Sequence, residues 1–157
     1  MVFASREGVT PVHVNWHLPG PPTPRIRINV PPGDRLKIGA FPSVVLVHDD
    51  PRFGRDASAA LARFGHTAHV FLDPLRAYDQ LIDASPRLLI TRVRFVGRMI
   101  HGITLARMAI YRDPQLSILF VAPQEFSDAT RRLGAFLPLP VTAEELAAAA
   151  AKLLRHA

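Results

Sequence analysis

The chain has 157 residues, of which 48% are hydrophobic, and this length and composition suit one globular domain with a modest extension. It contains no cysteine, which excludes disulfide bonds, thiolate nucleophiles and zinc–thiolate sites. No apolar run approaches the roughly 18 residues that a membrane-spanning helix needs. The start of the chain lacks the basic residues and apolar stretch of a secretory signal, so we expect a cytoplasmic protein without a membrane segment.

The formal net charge is +6, and one stretch of the chain is unusually basic. Residues 84–112 contain six arginines and no acid. Such a cluster can attract nucleic acid, an acidic partner or anionic lipid. We favour the alternative, in which a high-GC genome enriches the chain in arginine and these side chains are mostly solvated. The six are Arg87, Arg92, Arg94, Arg98, Arg107 and Arg112.

Residues 1–42 differ in composition from the rest of the chain, because they hold eight of the fifteen prolines. Proline lacks a backbone donor and is poorly tolerated in helices and central strands. Within this segment, Arg25–Val30 alternates polar and apolar residues, as an edge strand does. We therefore predict a proline-rich N-terminal arm, poorly ordered or with one edge strand. A short hairpin is the alternative, although a hairpin alone would be marginal.

Strand and helix patterns alternate after the arm. The apolar run Val44–Val47 predicts a buried strand, and Pro51–Phe64 predicts a helix with proline in its first turn. Thr67–Phe71 predicts a short second strand. In Asp73–Ala84 the aspartate caps a second helix. Arg87–Thr91 predicts the third strand.

The same alternation continues to the C-terminus. A glycine-containing loop leads to a helix through Leu105–Ala109, and Ser117–Val121 predicts the fourth strand. Glu125–Leu133 predicts a fourth helix, and Phe136–Leu139 the fifth strand. The last helix is predicted over Thr142–Arg155, where a capping box marks its start.

Five strands that alternate with five helices imply a parallel sheet covered on both faces. We predict an α/β domain of the flavodoxin-like, doubly wound class over residues 43–157, preceded by the arm. In this class the functional site lies at the carboxyl ends of the strands.

Several segments in a fixed order over residues 43–155 resemble the receiver domain of bacterial two-component response regulators. None of them is specific alone, but their ordered spacing over more than a hundred residues makes the resemblance strong. The segments are His48–Pro51, Leu89–Arg94, the Gly97–Gly102 loop with the helix after it, Asp113–Pro114 before Ile118–Val121, and Gly134–Leu137 with Pro140.

The resemblance implies a phosphorylation site that this chain has lost. In the family, an acidic pair and an acceptor aspartate hold Mg²⁺ and take up a phosphoryl group, assisted by a hydroxyl residue and a lysine. The acidic pair is present here as Asp49 and Asp50. The other three positions are Arg92 for the acceptor, Ala122 for the hydroxyl residue and Leu139 for the lysine.

Arg92 has two interpretations. Its planar guanidinium can bind two carboxylates, so it could lie between Asp49 and Asp50 in place of the metal. Alternatively, Arg92 points to solvent from a decayed site. We favour the pair, because two unneutralised acids side by side would repel each other. Phe136 matches the switch aromatic of the family, or it is a packed strand residue.

The sequence therefore predicts a degenerate receiver that acts in signalling through protein–protein contacts, with no catalytic residue, no cofactor and no Mg²⁺. The sequence does not identify the partner, and it leaves open whether the chain forms a homodimer. The alternative is a basic regulator that binds nucleic acid through residues 84–112 and the arm, although no helix-turn-helix pattern follows. A flavodoxin-like enzyme or cofactor binder is disfavoured because no glycine-rich phosphate loop follows a strand.

Overall fold

The structure, a computed structural model, describes residues 42–157. The edge strand or hairpin expected in the proline-rich arm lies outside the described residues. None of the helices within 42–157 is long and apolar enough to cross a membrane.

Strands and helices alternate through the described region. The strands are β1 (Val44–Val47), β2 (Ala68–Phe71), β3 (Leu88–Arg92), β4 (Ser117–Ala122) and β5 (Ala135–Pro138). The helices are α1 (Pro51–Arg63), α2 (Pro74–Ala84), α3 (Gly102–Arg112), α4 (Ser127–Thr130) and α5 (Ala143–His156), with a 3₁₀ turn at Gln124–Phe126 before α4.

The strands form one parallel sheet in the order β2-β1-β3-β4-β5. In register, Leu46 lies beside Ile90, and Ile90 beside Leu119. The strand order reverses between β1 and β3, and ligand sites of doubly wound sheets lie at such a reversal, beyond the carboxyl ends of the strands. The predicted flavodoxin-like fold with five parallel strands and five helices is confirmed.

The core has one layer on each face of the sheet. On one face, α2 and α3 cover alternate residues of the strands, among them Val45 and Leu89. On the other face, α1 and α5 cover the intervening residues, among them Leu46 and Ile90. All four of these strand residues are essentially inaccessible. Successive residues of these strands point to opposite faces of the sheet, and both are apolar because both faces of a parallel sheet are buried.

Side-chain caps begin three of the helices, and those at Asp73 and Thr142 were predicted from the sequence. Asp50 accepts hydrogen bonds at the start of α1, and Asp73 accepts one from the Leu75 amide at 2.8 Å at the start of α2. Thr142 and Glu145 form the predicted capping box of α5. These caps satisfy backbone donors that have no partner inside the helix.

The predicted helix over Glu125–Leu133 is wrong in extent, because only the 3₁₀ turn and the single turn of α4 form. The Thr130 hydroxyl donates to the carbonyl groups of Phe126 and Ser127, each at 3.1 Å. Gly134 then passes so close to β4 that a Cβ would lie 2.5 Å from the Ile118 carbonyl oxygen. The chain must therefore leave the helix early to bring β5 onto the sheet.

Gly102 fixes how closely α3 approaches β3. Its amide donates to the Val93 carbonyl at 3.0 Å. A Cβ at this position would lie 1.7 Å from the carbonyl oxygen of Arg92 and 2.9 Å from the Thr91 hydroxyl. Because the first of these is a backbone atom at the end of a buried strand, it cannot turn aside as a flexible side chain could.

We predict that Gly102→Ala lowers the free energy of unfolding by about 3 kcal/mol, since α3 or β3 must shift to admit the methyl group. Urea denaturation followed by circular dichroism measures the change. Thr104→Ala, at an exposed position of the same helix, is the matched control and should change stability by no more than about 0.5 kcal/mol. Equal stability of the two variants would contradict the close contact.

Candidate functional site

The predicted site residues meet at the carboxyl edge of the sheet, where the strand order reverses. Asp49 and Asp50 follow β1, and Arg92 is the last residue of β3. Because β1 and β3 are parallel neighbours, their ends lie side by side. The fold therefore brings the acidic pair and the arginine together, although they are more than forty residues apart in sequence.

Arg92 forms an ion pair with Asp49. Its Nη1 lies 2.5 Å from Asp49 Oδ1, and the two side chains are 28% and 37% exposed. Burial raises the pKa of Asp49, but the hydrogen bond and the positive charge of Arg92 outweigh it and hold the pKa of this carboxyl group below its usual range. Asp49 is therefore ionised at neutral pH, with the guanidinium as its counter-charge.

Asp50 takes no part in this pair, so the expectation that Arg92 lies between both carboxylates is wrong for Asp50. The Oδ1 atom of Asp50 instead accepts hydrogen bonds from the amides of Arg52 at 2.8 Å and Phe53 at 3.4 Å. These are the first free donors of α1, where a negative charge is favourable. The helix N-terminus thus compensates Asp50, and Arg92 compensates Asp49.

His48 completes the cluster, although no role was predicted for it from the sequence. It is 8% exposed, and its ring stacks on Phe53 with 4.5 Å between centroids. Burial, and then the charge of Arg92, lower the pKa of His48 below its usual value. Its Nδ1 accepts the Asp50 amide at 3.0 Å and therefore carries no proton. The 3.6 Å approach of this atom to Asp49 Oδ1 is accordingly not an ion pair.

The remaining predicted site residues have apolar side chains, and in the structure they pack against the apolar core. Ala122, at the end of β4, is buried, and its carbonyl accepts the Leu139 amide at 3.0 Å. Leu139 lies just past β5, which ends one residue earlier than predicted, and packs against the core layer under α1 and α5. Phe136 is half-buried on β5 and packs against the other layer. No hydroxyl or ammonium group therefore stands at these positions.

A small open cavity of about 210 Å³ lies between the ends of β3 and β4. The guanidinium of Arg94 lies on one side of it, 5.2 Å above the ring of Phe126. Its wall consists of Arg92, Val93, Arg94, Ala122, Pro123, Glu125 and Phe126.

The donor set at this edge does not fit Mg²⁺. Magnesium requires oxygen ligands in near-octahedral arrangement. A cation of the chain already binds Asp49 Oδ1, and two backbone amides bind Asp50 Oδ1. Within residues 42–157, no three histidine, aspartate or glutamate side chains come close enough together to hold a metal.

The fold of this chain is similar to that of solved receiver domains. The receiver domain of NtrX from Brucella abortus matches with a TM-score of 0.66 and 22% identity, over 73% of this chain and 99% of that one. The receiver domain of a LuxO repressor protein from Vibrio parahaemolyticus matches with a TM-score of 0.65 and 18% identity, over 73% of this chain and 91% of that one.

A CheY-like receiver domain protein from Methanospirillum hungatei also matches, with a TM-score of 0.64 and 16% identity, over 72% of this chain and 93% of that one. No protein-family model matches the chain, and no curated protein matches it significantly. The chain thus has the fold of response-regulator receiver domains.

We predict that Arg92→Ala lowers the free energy of unfolding by about 1 kcal/mol near neutral pH, a modest value because solvent screens the partly exposed pair. Since the folded state lowers the pKa of Asp49, the pair stabilises the fold above the pKa of unfolded aspartate. That stabilisation is lost as pH falls through the lowered folded pKa. Urea melts at neutral pH and at about pH 2.5 measure this dependence.

Arg94→Ala is the matched control, because Arg94 is exposed and contacts an aromatic ring rather than a carboxylate. Its effect should be smaller and should not follow the titration of Asp49. A double-mutant cycle of Arg92→Ala with Asp49→Asn isolates the pair. Zero coupling at neutral pH, or equal losses in both arginine variants at every pH, would mean that Arg92 is a solvated remnant.

Proposed function

We propose that this protein is a receiver-like signalling module that accepts no phosphoryl group and acts through protein–protein contacts, without catalytic activity. The observation that carries the proposal is the ion pair between Arg92 and Asp49 at the carboxyl edge of a receiver fold. At that edge the chain supplies its own cation, so the local charge balance does not depend on metal or phosphorylation.

The chemistry of the site supports this proposal in three independent ways. A guanidinium group cannot form an acyl phosphate, because it is neither a carboxylate nor a usable nucleophile. Ala122 has no hydroxyl group to donate to a phosphoryl oxygen, and Leu139 has no charge to pair with one. Phosphoryl transfer depends on positioning and on charge stabilisation, and both are missing here.

Binding of nucleic acid through the arginine-rich segment is the less favoured candidate, because four of its six arginines contact other parts of the domain. Arg92 pairs with Asp49, and Arg98 Nη1 lies 2.8 Å from Asp73 Oδ2. Arg94 lies over an aromatic ring.

Arg87 lies at the other end of β3 from Arg92. It precedes the strand at the opposite edge of the sheet, where it donates to the Leu154 carbonyl at 2.8 Å. Arg87 and Arg92 therefore lie at opposite edges of the sheet, and each has a partner within the domain. A salt-dependent shift of DNA by the full chain would favour the second candidate instead.

We predict that the full chain is not phosphorylated by acetyl phosphate with Mg²⁺, measured by intact-mass spectrometry. A receiver domain with an intact acceptor aspartate, treated in parallel, is the positive control. The variant Arg92→Asp should also stay unlabelled, because the hydroxyl residue and the lysine are still missing. A phosphoryl adduct on Asp49 or Asp50, or rapid Mg²⁺-dependent labelling of Arg92→Asp, would refute the proposal.

We also predict that a partner captured by the full chain from its source organism, once purified, binds with the same affinity whether or not the chain is first treated with acetyl phosphate and Mg²⁺. If the site cannot be phosphorylated, the phosphodonor leaves the binding surface unchanged, so the affinity for the partner should not change. Calorimetric titration gives both dissociation constants. A change of about tenfold, equal to about 1.4 kcal/mol, would contradict phosphorylation-independent recognition.

A further inference from the structure

His48 is the only buried side chain within residues 42–157 that titrates, and the proposed function makes no use of it. Its ring stacks on Phe53, the third residue of α1. The Asp50 amide donates to its Nδ1 atom at 3.0 Å. On the side of β2, the Phe71 carbonyl accepts the His48 amide at 3.0 Å. Because Asp50 also caps α1, the bond to Nδ1 joins the end of β1 to the start of this helix.

The hydrogen bond between His48 and Asp50 depends on the protonation state of the ring. Nδ1 accepts the amide only while it carries a free electron pair, and in an imidazolium both ring nitrogens are donors. A proton on Nδ1 would point at the Asp50 N–H group, so that two donors would face each other. The ring has little room to turn away, because it is buried and stacked on Phe53.

A second acceptor lies close to the same ring nitrogen. Asp49 Oδ1 is 3.6 Å from His48 Nδ1, and a small shift of the side chains would bring the two atoms within the distance of a charge-assisted hydrogen bond. The same oxygen binds Arg92 Nη1 at 2.5 Å. A protonated His48 would therefore exchange a backbone donor for a carboxylate acceptor, and it would share that carboxylate with Arg92.

The groups around the ring act on its protonation in opposite directions. Burial opposes a positive charge on His48 most strongly, and Arg92 on β3 opposes it as well, whereas Asp49 and Asp50 in its own loop favour it. From α1 and β2 the contacts are a phenyl ring and a carbonyl group, neither of them charged. The pKa of His48 is lowered as a result, so the ring is neutral at neutral pH and takes up its proton on acidification.

We propose that His48 is an acid-sensitive switch at the carboxyl edge of the sheet. Protonation of its Nδ1 atom breaks the hydrogen bond to the Asp50 amide, moves the ring towards Asp49 and loosens the start of α1. The charge of the cluster rises by one unit in the same step. The switch consists of a ring, an amide and a carboxylate of the described chain, so it does not depend on the proposed signalling function.

An NMR titration of the full chain between about pH 8 and about pH 4.5 tests the switch. We expect the His48 ring to titrate below about 6.5, the value of an unperturbed histidine, and the Asp50 amide resonance to move with the same midpoint. The variant His48→Asn keeps an oxygen acceptor near the place of Nδ1 but takes up no proton, so its Asp50 amide should no longer titrate. His69→Asn, at an exposed position of β2, is the matched control and should leave both titrations unchanged.

Amide hydrogen exchange measures the loosening of α1. The amides of Arg52 and Phe53 donate to Asp50 Oδ1, so they report on the first turn of the helix. Below the midpoint of His48, their protection factors should fall by about tenfold in wild type. In His48→Asn they should not change over the same range.

Stability gives a further measurement that does not need resolved resonances. The folded state lowers the pKa of His48, so the unfolded chain takes up this proton first as pH falls. The stabilisation is complete above the pKa of unfolded histidine and is lost as pH falls through the lowered folded value. Urea midpoints should therefore fall more steeply in wild type than in His48→Asn. Arg92→Ala should raise the midpoint of the His48 titration, since it removes a charge that opposes protonation.

The titrations are made with EDTA and repeated with Mg²⁺, and the two curves should coincide, because Asp49 binds Arg92 and Asp50 binds backbone amides. Any of four results would overturn the proposal. They are a ring that stays neutral throughout the range, an Asp50 amide that titrates equally in His48→Asn, unchanged protection in the first turn of α1, and a midpoint that Mg²⁺ shifts.

Discussion

In a parallel sheet the carboxyl ends of all strands lie at the same edge, and the rest of this structure depends on that constraint. The strand order reverses between β1 and β3, so the residues that follow these two strands must lie side by side. Charges that the sequence places there are therefore close enough to interact. Here the balance is an ion pair between Arg92 and Asp49, with the adjacent Asp50 compensated by the amides that begin α1.

Arg92 has contacts on several sides. Its carbonyl oxygen lies under Gly102 at the start of α3, where no side chain could fit. Its guanidinium meets a carboxylate, and its charge and the surrounding burial together keep His48 neutral. Near neutral pH, Asp49 is therefore ionised and His48 neutral, which suits the proposed module whose contacts do not depend on phosphorylation.

The loop between β3 and α3 connects the Arg92 site with the start of α2. That loop begins directly after Arg92 and carries Val96, Met99 and Arg98, and Arg98 pairs with the cap residue of α2, Asp73. The carboxyl edge of the sheet and the start of α2 are therefore joined through a few residues of one loop.

The amino-acid sequence by itself determined the α/β class, the order of the elements and the caps at Asp73 and Thr142, because apolar periodicity and capping depend on residues close together in the chain. It also determined that the acceptor, hydroxyl and lysine positions are arginine, alanine and leucine. Only the tertiary structure decided which acid pairs with Arg92, because a cap and an ion pair compete for the same carboxylate. It also shortened α4, since the close approach of Gly134 to Ile118 is a contact between distant parts of the chain. The neutral state of His48 belongs to the fold for the same reason, because burial and the charge of Arg92 reach it only once β1 and β3 are paired.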